Sequence, residues 1–444
     1  MDFLTQNILH YYNKPWFGGN CKRKPGFSCK SGGFFRFPIE KTAISWYLSR
    51  KNAIRFRGLR QQGEGAMGER PVYLLDIRRD FPSPQFTKVV LRPDMWRNGM
   101  AVRMPNHLGD AVMALPALGQ LRKAVPADCA LYCIIPPGQQ ALYRALPIVS
   151  GVLPLSRIHS GWSREDFVNL YRLRLGVGVL FNNSFRDALL MRLAGVSNLY
   201  GASARFRSFL LRKAFRFPPR PDGQPANLHH ANRYLAIASA LGAPEWDGKL
   251  PEFRLSPAAD ELSPAITALC EHPKLLTVAS GAAYGAAKRW PSGNFHAVVA
   301  RWVESGGIAV VLGSESERGI GDEVIDGLDP HKAVNLSGRT TLAELMQLLR
   351  HSAMTVANDS GVMHLSAALG RPGVAIFGPT DFTATGPIGA NWRLLYEKQP
   401  CSPCFRRECP RGTQKCIRAI TPEMVIAEME GILDRRCPGP RPAE

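Results

Sequence analysis

The stretch VANDSGVMHLSAALGRPGVAIFGPTD, residues 356 to 381, constrains the fold more than any other part of the chain. The run from Ala353 to Ala357 predicts a buried strand, and Ser360-Gly361 a tight turn. Gly361 to Leu369, rich in Ala and Ser and closed by Gly370 and Pro372, predicts a helix, and Gly373 to Phe377 the next strand. Strand, helix and strand in that order make a βαβ unit, and its first turn opens a helix N-terminus. Unpaired backbone N–H groups and the helix dipole gather there and favour an anionic ligand. The stretch is a candidate ligand cradle.

The same alternation fills most of the chain. From Met100, MAVRMP reads as a strand, NHLGD as a turn, and Ala111 to Ala124 as a helix interrupted by Pro116. ALYCIIP and VGVLFNN read as further strands, DALLMRLAG and HHANRYLAIASALGA as helices. The Pro-rich, polar segment PEFRLSPAADELSPA reads as a linker, after which KLLTVAS, a helix near 293 to 305 and IAVVLG begin a second series. Two successive series of alternating strands and helices imply an α/β chain with two Rossmann-like domains, 100–255 and 256–435. Open α/β sheets bind ligands beyond the C-terminal ends of their strands, so the expected site is a cleft between the two.

Residues 1–99 differ. NCKRKPGFSCKSGGFFRF and RQQGEGAMGER are Gly-rich, basic and aperiodic, which predicts a disordered or loosely packed extension. This tract carries 18 Lys/Arg against 7 Asp/Glu, +11 of the chain's formal +20. Such a charge draws nucleic acid, phospholipid headgroups or phosphorylated glycans, without choosing among them. No helix-turn-helix, zinc-finger or RNA-binding motif accompanies it. No apolar run has the length of a membrane span, and the first thirty residues lack a signal peptide's apolar core, so the expected compartment is the cytoplasm. Ten cysteines without such a signal read as thiols or metal ligands rather than a disulfide framework.

Four turns bear candidate chemistry. Asp110, at a strand-to-helix turn, reads either as an N-cap or as a general base aimed into the cleft. SGAAYGAAKRWPSGNF offers open N–H groups and the cation of Lys288 to a phosphate, or is a flexible loop with a solvated Lys-Arg pair; Trp290 reads as a core anchor. In the βαβ turn, Asp359 and Ser360 are caps or ligand contacts, His364 is a core histidine or a site residue, and Gly378-Pro379-Thr380 can be a plain turn. In VLGSESERG, Glu315 or Glu317 is a candidate for ribose hydroxyls, against the reading of a solvated loop.

The order of these motifs carries a resemblance. NHLGDAVMALPAL, NNSFRDALL, GAAYGAAKRWP, NLSGRTTLAEL, NDSGVMHLSAALGRPGVAIFGPTD and CSPCFRRECP resemble glycosyltransferase family nine over roughly Met100 to Arg435, with Asp-Ser-Gly-Val-Met-His the most specific block. The resemblance implies a GT-B fold and an inverting, metal-free transfer of heptose from ADP-heptose to the inner core of lipopolysaccharide, at the cytoplasmic face of the inner membrane. It implies no cofactor and no nucleic acid. Carried over, Asp110 would be the base on the acceptor hydroxyl, Lys288 would neutralise the departing ADP diphosphate, and Asp359 would bind donor hydroxyls. Gly361, Val362 and Met363 would offer backbone N–H groups near the diphosphate, beside Ser360 and His364. Many relatives have Asp-Thr-Gly where this chain has Asp359-Ser360-Gly361; a hydroxyl survives the difference. Cys401, Cys404, Cys409 and Cys416 have a spacing compatible with a four-thiolate zinc site or with reduced structural thiols, and Arg406, Arg407 and Arg411 are candidates for acceptor phosphates. Two other readings stay open: a family-nine transferase with another nucleotide sugar or surface glycan, and a non-catalytic nucleotide- or nucleic-acid-binding protein.

Overall fold

The apolar runs become parallel strands covered on both faces, the usual outcome when helical crossovers join them. The computed structural model of the protein describes residues 72–73, 85–156, 162–217, 229–255, 262–389 and 391–434. Most of the expected extension, with both of its Gly-rich basic segments, and linker residues 256–261 lie outside the described residues.

A two-residue strand, β1 (Val72–Tyr73), precedes a first sheet of β2 (Gly99–Arg103), β3 (Ala130–Ile135), β4 (Gly151–Pro154), β5 (Val177–Leu180), β6 (Asn198–Ala202) and β7 (Lys213–Phe215). These six are all parallel, in the order β4-β3-β2-β5-β6-β7. A second sheet contains β8 (Leu275–Ala279), β9 (Ile308–Val311), β10 (Ala333–Asn335), β11 (Met354–Asn358), β12 (Gly373–Phe377) and β13 (Trp392–Tyr396). Its order is β13-β12-β11-β8-β9-β10, again parallel, with β1 antiparallel on the β13 edge. The chain is an α/β protein of two Rossmann-like lobes. In each sheet the order reverses once, between β2 and β5 and between β8 and β11. At such a reversal successive crossovers leave in opposite directions, and a crevice opens beyond the strand ends.

The main helices of the first lobe are α1 (Leu108–Met113), α2 (Leu115–Ala124), α3 (Phe185–Leu193) and α4 (His230–Ala240). Those of the second are α5 (Pro264–Glu271), α6 (Ser292–Glu304), α7 (Leu342–His351), α8 (Gly361–Ala368) and α9 (Pro422–Asp434). The helix expected over 111–124 is two helices with Ala114 between them. Pro116 lies in the first turn of α2, where its missing N–H costs nothing.

Packing of the first lobe starts upstream of the expected boundary at residue 100. Met95 and Trp96 are buried, Val89 N–H donates to Ala240 O at 2.7 Å, and the Phe86 ring lies 5.1 Å from both Phe215 and Phe217. Residues 85–99 thus belong to the folded lobe rather than to a loose extension.

One apolar cluster runs through both lobes, including Leu142 and Leu146 of the first and Met346 and Leu349 of the second. Buried His229, capping α4, adds a polar tie. Its Nδ1 accepts from Ala231 N–H at 3.2 Å, so Nε2 carries the proton and donates to Gly386 O at 2.9 Å. The cleft floor is closer still. A Cβ on Gly109 would sit 2.9 Å from His364 Cδ2, and one on Gly361 would sit 3.1 Å from Leu108 Cβ. Only glycine lets the first turns of α1 and α8 approach this closely.

Candidate active site

The two sheet reversals bring three segments of the expected chemistry together: the turn after β2, the loop after β8 and the turn after β11. On the first lobe, Asp110 is the third residue of α1; the cap position belongs to His107, which makes no side-chain capping bond. The N-cap reading of Asp110 does not hold. Its Oδ1 lies 3.4 Å from Nδ1 of His230, with the two side chains 33% and 40% exposed, respectively. Burial works to raise the Asp110 pKa, but the hydrogen bond to His230 and the charges of His230, His364 and His107 outweigh it. The carboxyl is held below its usual value and is ionised at neutral pH. Asp110 opens into a concave space lined also by His230, Arg233, Tyr234 and Asn183.

On the second lobe, Lys288 is neither solvated nor free. Its Nζ meets Asp359 Oδ2 at 2.6 Å, with the lysine side chain 11% and the aspartate 6% exposed. The same Oδ2 accepts from Thr380 Oγ1 at 2.8 Å and Thr385 Oγ1 at 3.5 Å. A buried ion pair survives only when hydrogen bonds complete it, and these threonines do so. Cap and site roles are divided between neighbours: Ser360 caps α8 through Met363 N–H at 3.5 Å, which leaves Asp359 to the cation. Gly361, Val362 and Met363 form the first turn of α8, which packs at Gly361 against Leu108 and Gly109 at the start of α1.

The loop carrying Lys288 is pinned from below. Asn358, ending β11, donates to Ser280 O at 2.7 Å and accepts from Trp290 N–H at 3.1 Å. Trp290 is buried with Nε1 donating to Ile420 O at 2.8 Å, the expected core anchor. The Tyr284 ring lies under Lys288 Nζ at 4.7 Å and under the Arg407 guanidinium at 5.4 Å. Ala287 N–H donates to Arg407 O at 2.9 Å, so the cysteine-rich segment braces this loop, and Arg407 stacks there. Arg406 and Arg411 are exposed.

His364 is buried between the halves of the site. Burial drives its pKa down to about 4 against the pull of Asp359 and Asp110, and its Nδ1 has no hydrogen-bond partner among the described residues. Glu317 is engaged within its own turn, Oε2 accepting from both N–H and Oγ of Ser314 at 2.8 Å. Glu315 pairs with Arg318; a ribose would compete with these partners. The thiols of Cys401, Cys404 and Cys409 lie near enough to Cys416 to add to the rise that burial imposes on its pKa. Among the described residues no group of three or more His, Cys, Asp or Glu is arranged to hold a metal ion.

His230 and Thr385 are residues that local motifs did not single out, and Thr380 stood in the sequence only as part of a candidate plain turn. Each meets its partner across more than twenty residues of sequence, which periodicity does not reach.

Comparison with known proteins agrees with this layout. The profile of glycosyltransferase family 9 (heptosyltransferase) matches residues 171–415. The chain is 34% identical over 340 residues to a lipooligosaccharide heptosyltransferase 2 of Campylobacter jejuni, covering 74% of this chain and 97% of that protein. It is 26% identical over 343 residues to the lipopolysaccharide heptosyltransferase 2 of Escherichia coli, with the same coverage. Among solved structures, the Escherichia coli ADP-heptose lps heptosyltransferase II superposes with a TM-score of 0.62 at 24% identity, over 76% of this chain and 99% of that one. A family 9 glycosyl transferase from Veillonella parvula gives 0.63 at 20% identity, over 76% and 97%.

Proposed function

The chain belongs to glycosyltransferase family 9, and from that premise we propose that it transfers heptose from ADP-heptose to the inner core of lipopolysaccharide, with inversion at the anomeric carbon. The observation that carries the reading is the opposition across one cleft of an ionised carboxylate, Asp110, and a buried Lys288–Asp359 pair beside a helix N-terminus. Asp110 takes the proton of the acceptor hydroxyl as its oxygen attacks the anomeric carbon. The bond to the diphosphate breaks on the opposite face, and the charge that develops there meets Lys288 and the first-turn amides of α8. Asp359 accepts from donor sugar hydroxyls and keeps the lysine in place through its own ion pair.

Both reactants are then held by preformed groups, which converts a bimolecular encounter into a positioned one. The acceptor enters through the open space beside Asp110, on the first lobe, and the nucleotide lies on the second. We site the reaction at the cytoplasmic face of the inner membrane, where a lipid-anchored acceptor is within reach. ADP release measured with ADP-heptose and with a panel of UDP-sugars, each with and without core acceptor, tests the donor assignment. Acceptor-stimulated release from ADP-heptose alone supports it; preference for a UDP-sugar overturns it.

A further inference from the structure

The loop between β6 and β7 holds large apolar side chains out in water. Phe206 is 95% and Phe209 77% exposed, and the Phe209 ring meets that of Phe185, at the start of α3, at 6.0 Å. Single exposed apolar residues need no explanation, but aromatic side chains gathered at one place on a surface do.

The loop is not slack. Arg205 and Phe206 adopt φ of 46° and 57°, a left-handed conformation disfavoured for residues with a Cβ. Beneath them Arg207 is fully buried, and its guanidinium donates to Ala202 O at 3.0 and 3.2 Å, to Ser184 O at 3.4 Å and to Asn183 Oδ1 at 3.4 Å. A buried cation thus staples the loop to the start of α3 and turns the phenylalanines outward.

The charge of this segment is nearly all of one sign. Between Asn183 and Phe217 there are seven Lys/Arg and a single acid, Asp187. That acid is buried and paired with Arg103, whereas Arg186, Arg205, Arg212 and Arg216 are exposed. Aromatic side chains set among arginines suit the headgroup region of an anionic bilayer, where rings enter the acyl boundary and guanidinium groups meet phosphates. Two acceptors of the Arg207 staple, Asn183 and Ala202, line the space that holds Asp110. The loop and the acceptor pocket share a wall.

We propose that the surface of Phe185, Phe206 and Phe209, with Arg186, Arg205 and Arg212, docks the first lobe onto an anionic lipid bilayer. It rests on the proposed function in one respect: docking there sets the Asp110 pocket beside a lipid-anchored acceptor. The test reads binding without turnover. The full chain and its F206S/F209S variant are floated with vesicles of phosphatidylcholine alone or with phosphatidylglycerol added. The wild type binds the anionic vesicles, less as salt rises, and F206S/F209S binds them at least about tenfold more weakly. The basic N-terminal tract is common to both proteins, so the difference reports the loop. Melting temperature and turnover on a delipidated, soluble acceptor stay at wild-type values. Equal vesicle binding by the two proteins, or none by the wild type, overturns the proposal. So does a lipid-free oligomer of the wild type that F206S/F209S abolishes, which would assign the surface to a second copy of the chain.

Discussion

Replacing Asp110 by Asn separates chemistry from architecture. The amide keeps the shape of the carboxylate and can still accept from His230, but it takes no proton. The structural loss is small: a first-turn carboxylate contributes about 0.3–1 kcal/mol through the helix dipole. A contact at 3.4 Å between side chains one-third or more exposed adds roughly 0–1 kcal/mol after solvent screening. The variant should lose at most about 2 kcal/mol of stability, a melting shift of several degrees. Removing a general base instead costs about two to four decades in kcat, or roughly 3–5 kcal/mol of transition-state stabilisation. The assay combines kcat on a soluble core acceptor, ADP affinity by calorimetry and a thermal melt. The expected pattern is a collapse of kcat with ADP affinity and folding nearly intact, because Asp110 and the Lys288–Asp359 pair stand on different lobes. Turnover near wild type would refute the assignment, as would a melting loss large enough to account for the lost activity.

Other perturbations act on other parts of the site. Lys288→Ala should lower kcat by an amount equivalent to about 2–4 kcal/mol, as for other lost electrostatic donors, and activity should persist in EDTA; restoration of EDTA-inactivated enzyme by magnesium would contradict this. Stability should fall with acid. Burial depresses His229 to about 3 and His364 to about 4, so both fold as neutral rings. Their contribution is complete above the unfolded value of about 6.5 and is lost as pH falls through that window toward the folded values; denaturant midpoints flat between pH 7 and pH 4 would argue against it. Gly109→Ala puts a Cβ 2.9 Å from His364 Cδ2 and should cost about 1–3 kcal/mol by overpacking, read as a lower melting temperature together with lower kcat. A chain beginning at Met100 loses buried Trp96 and Met95 and should be destabilised by at least about 3 kcal/mol, read as a lower melting temperature than that of the full protein.

The sequence disclosed what is local. The strand Gly373–Phe377 was readable to the residue, because an unbroken apolar run lay between Gly370 and Gly-Pro punctuation. The order of strands and helices gave two Rossmann-like lobes for the same reason. Asp110, Lys288 and Asp359 were legible as candidates in the segments that follow β2, β8 and β11, where open sheets present their ligands. Their partners were not. His230 reaches Asp110 from a helix 120 residues away, and Thr380 reaches Asp359 across β12. The packing upstream of Met100 was hidden because residues 85–98 hold a single helical turn, Pro93–Trp96, and pack through single anchors such as Phe86 and Trp96. Arg407, a candidate for acceptor phosphate from its neighbours in sequence, lies over Tyr284 because the chain folds back on the Lys288 loop.

The most direct test of heptose transfer is the product itself. Wild-type protein, ADP-heptose and a defined inner-core acceptor are incubated together, and the purified product is examined by mass spectrometry and by NMR of its anomeric proton. The account predicts a single added heptose with the anomeric configuration opposite to that of the donor, and almost none of this product with Asp110→Asn. ADP released without sugar on the acceptor, or a product of retained configuration, would contradict it.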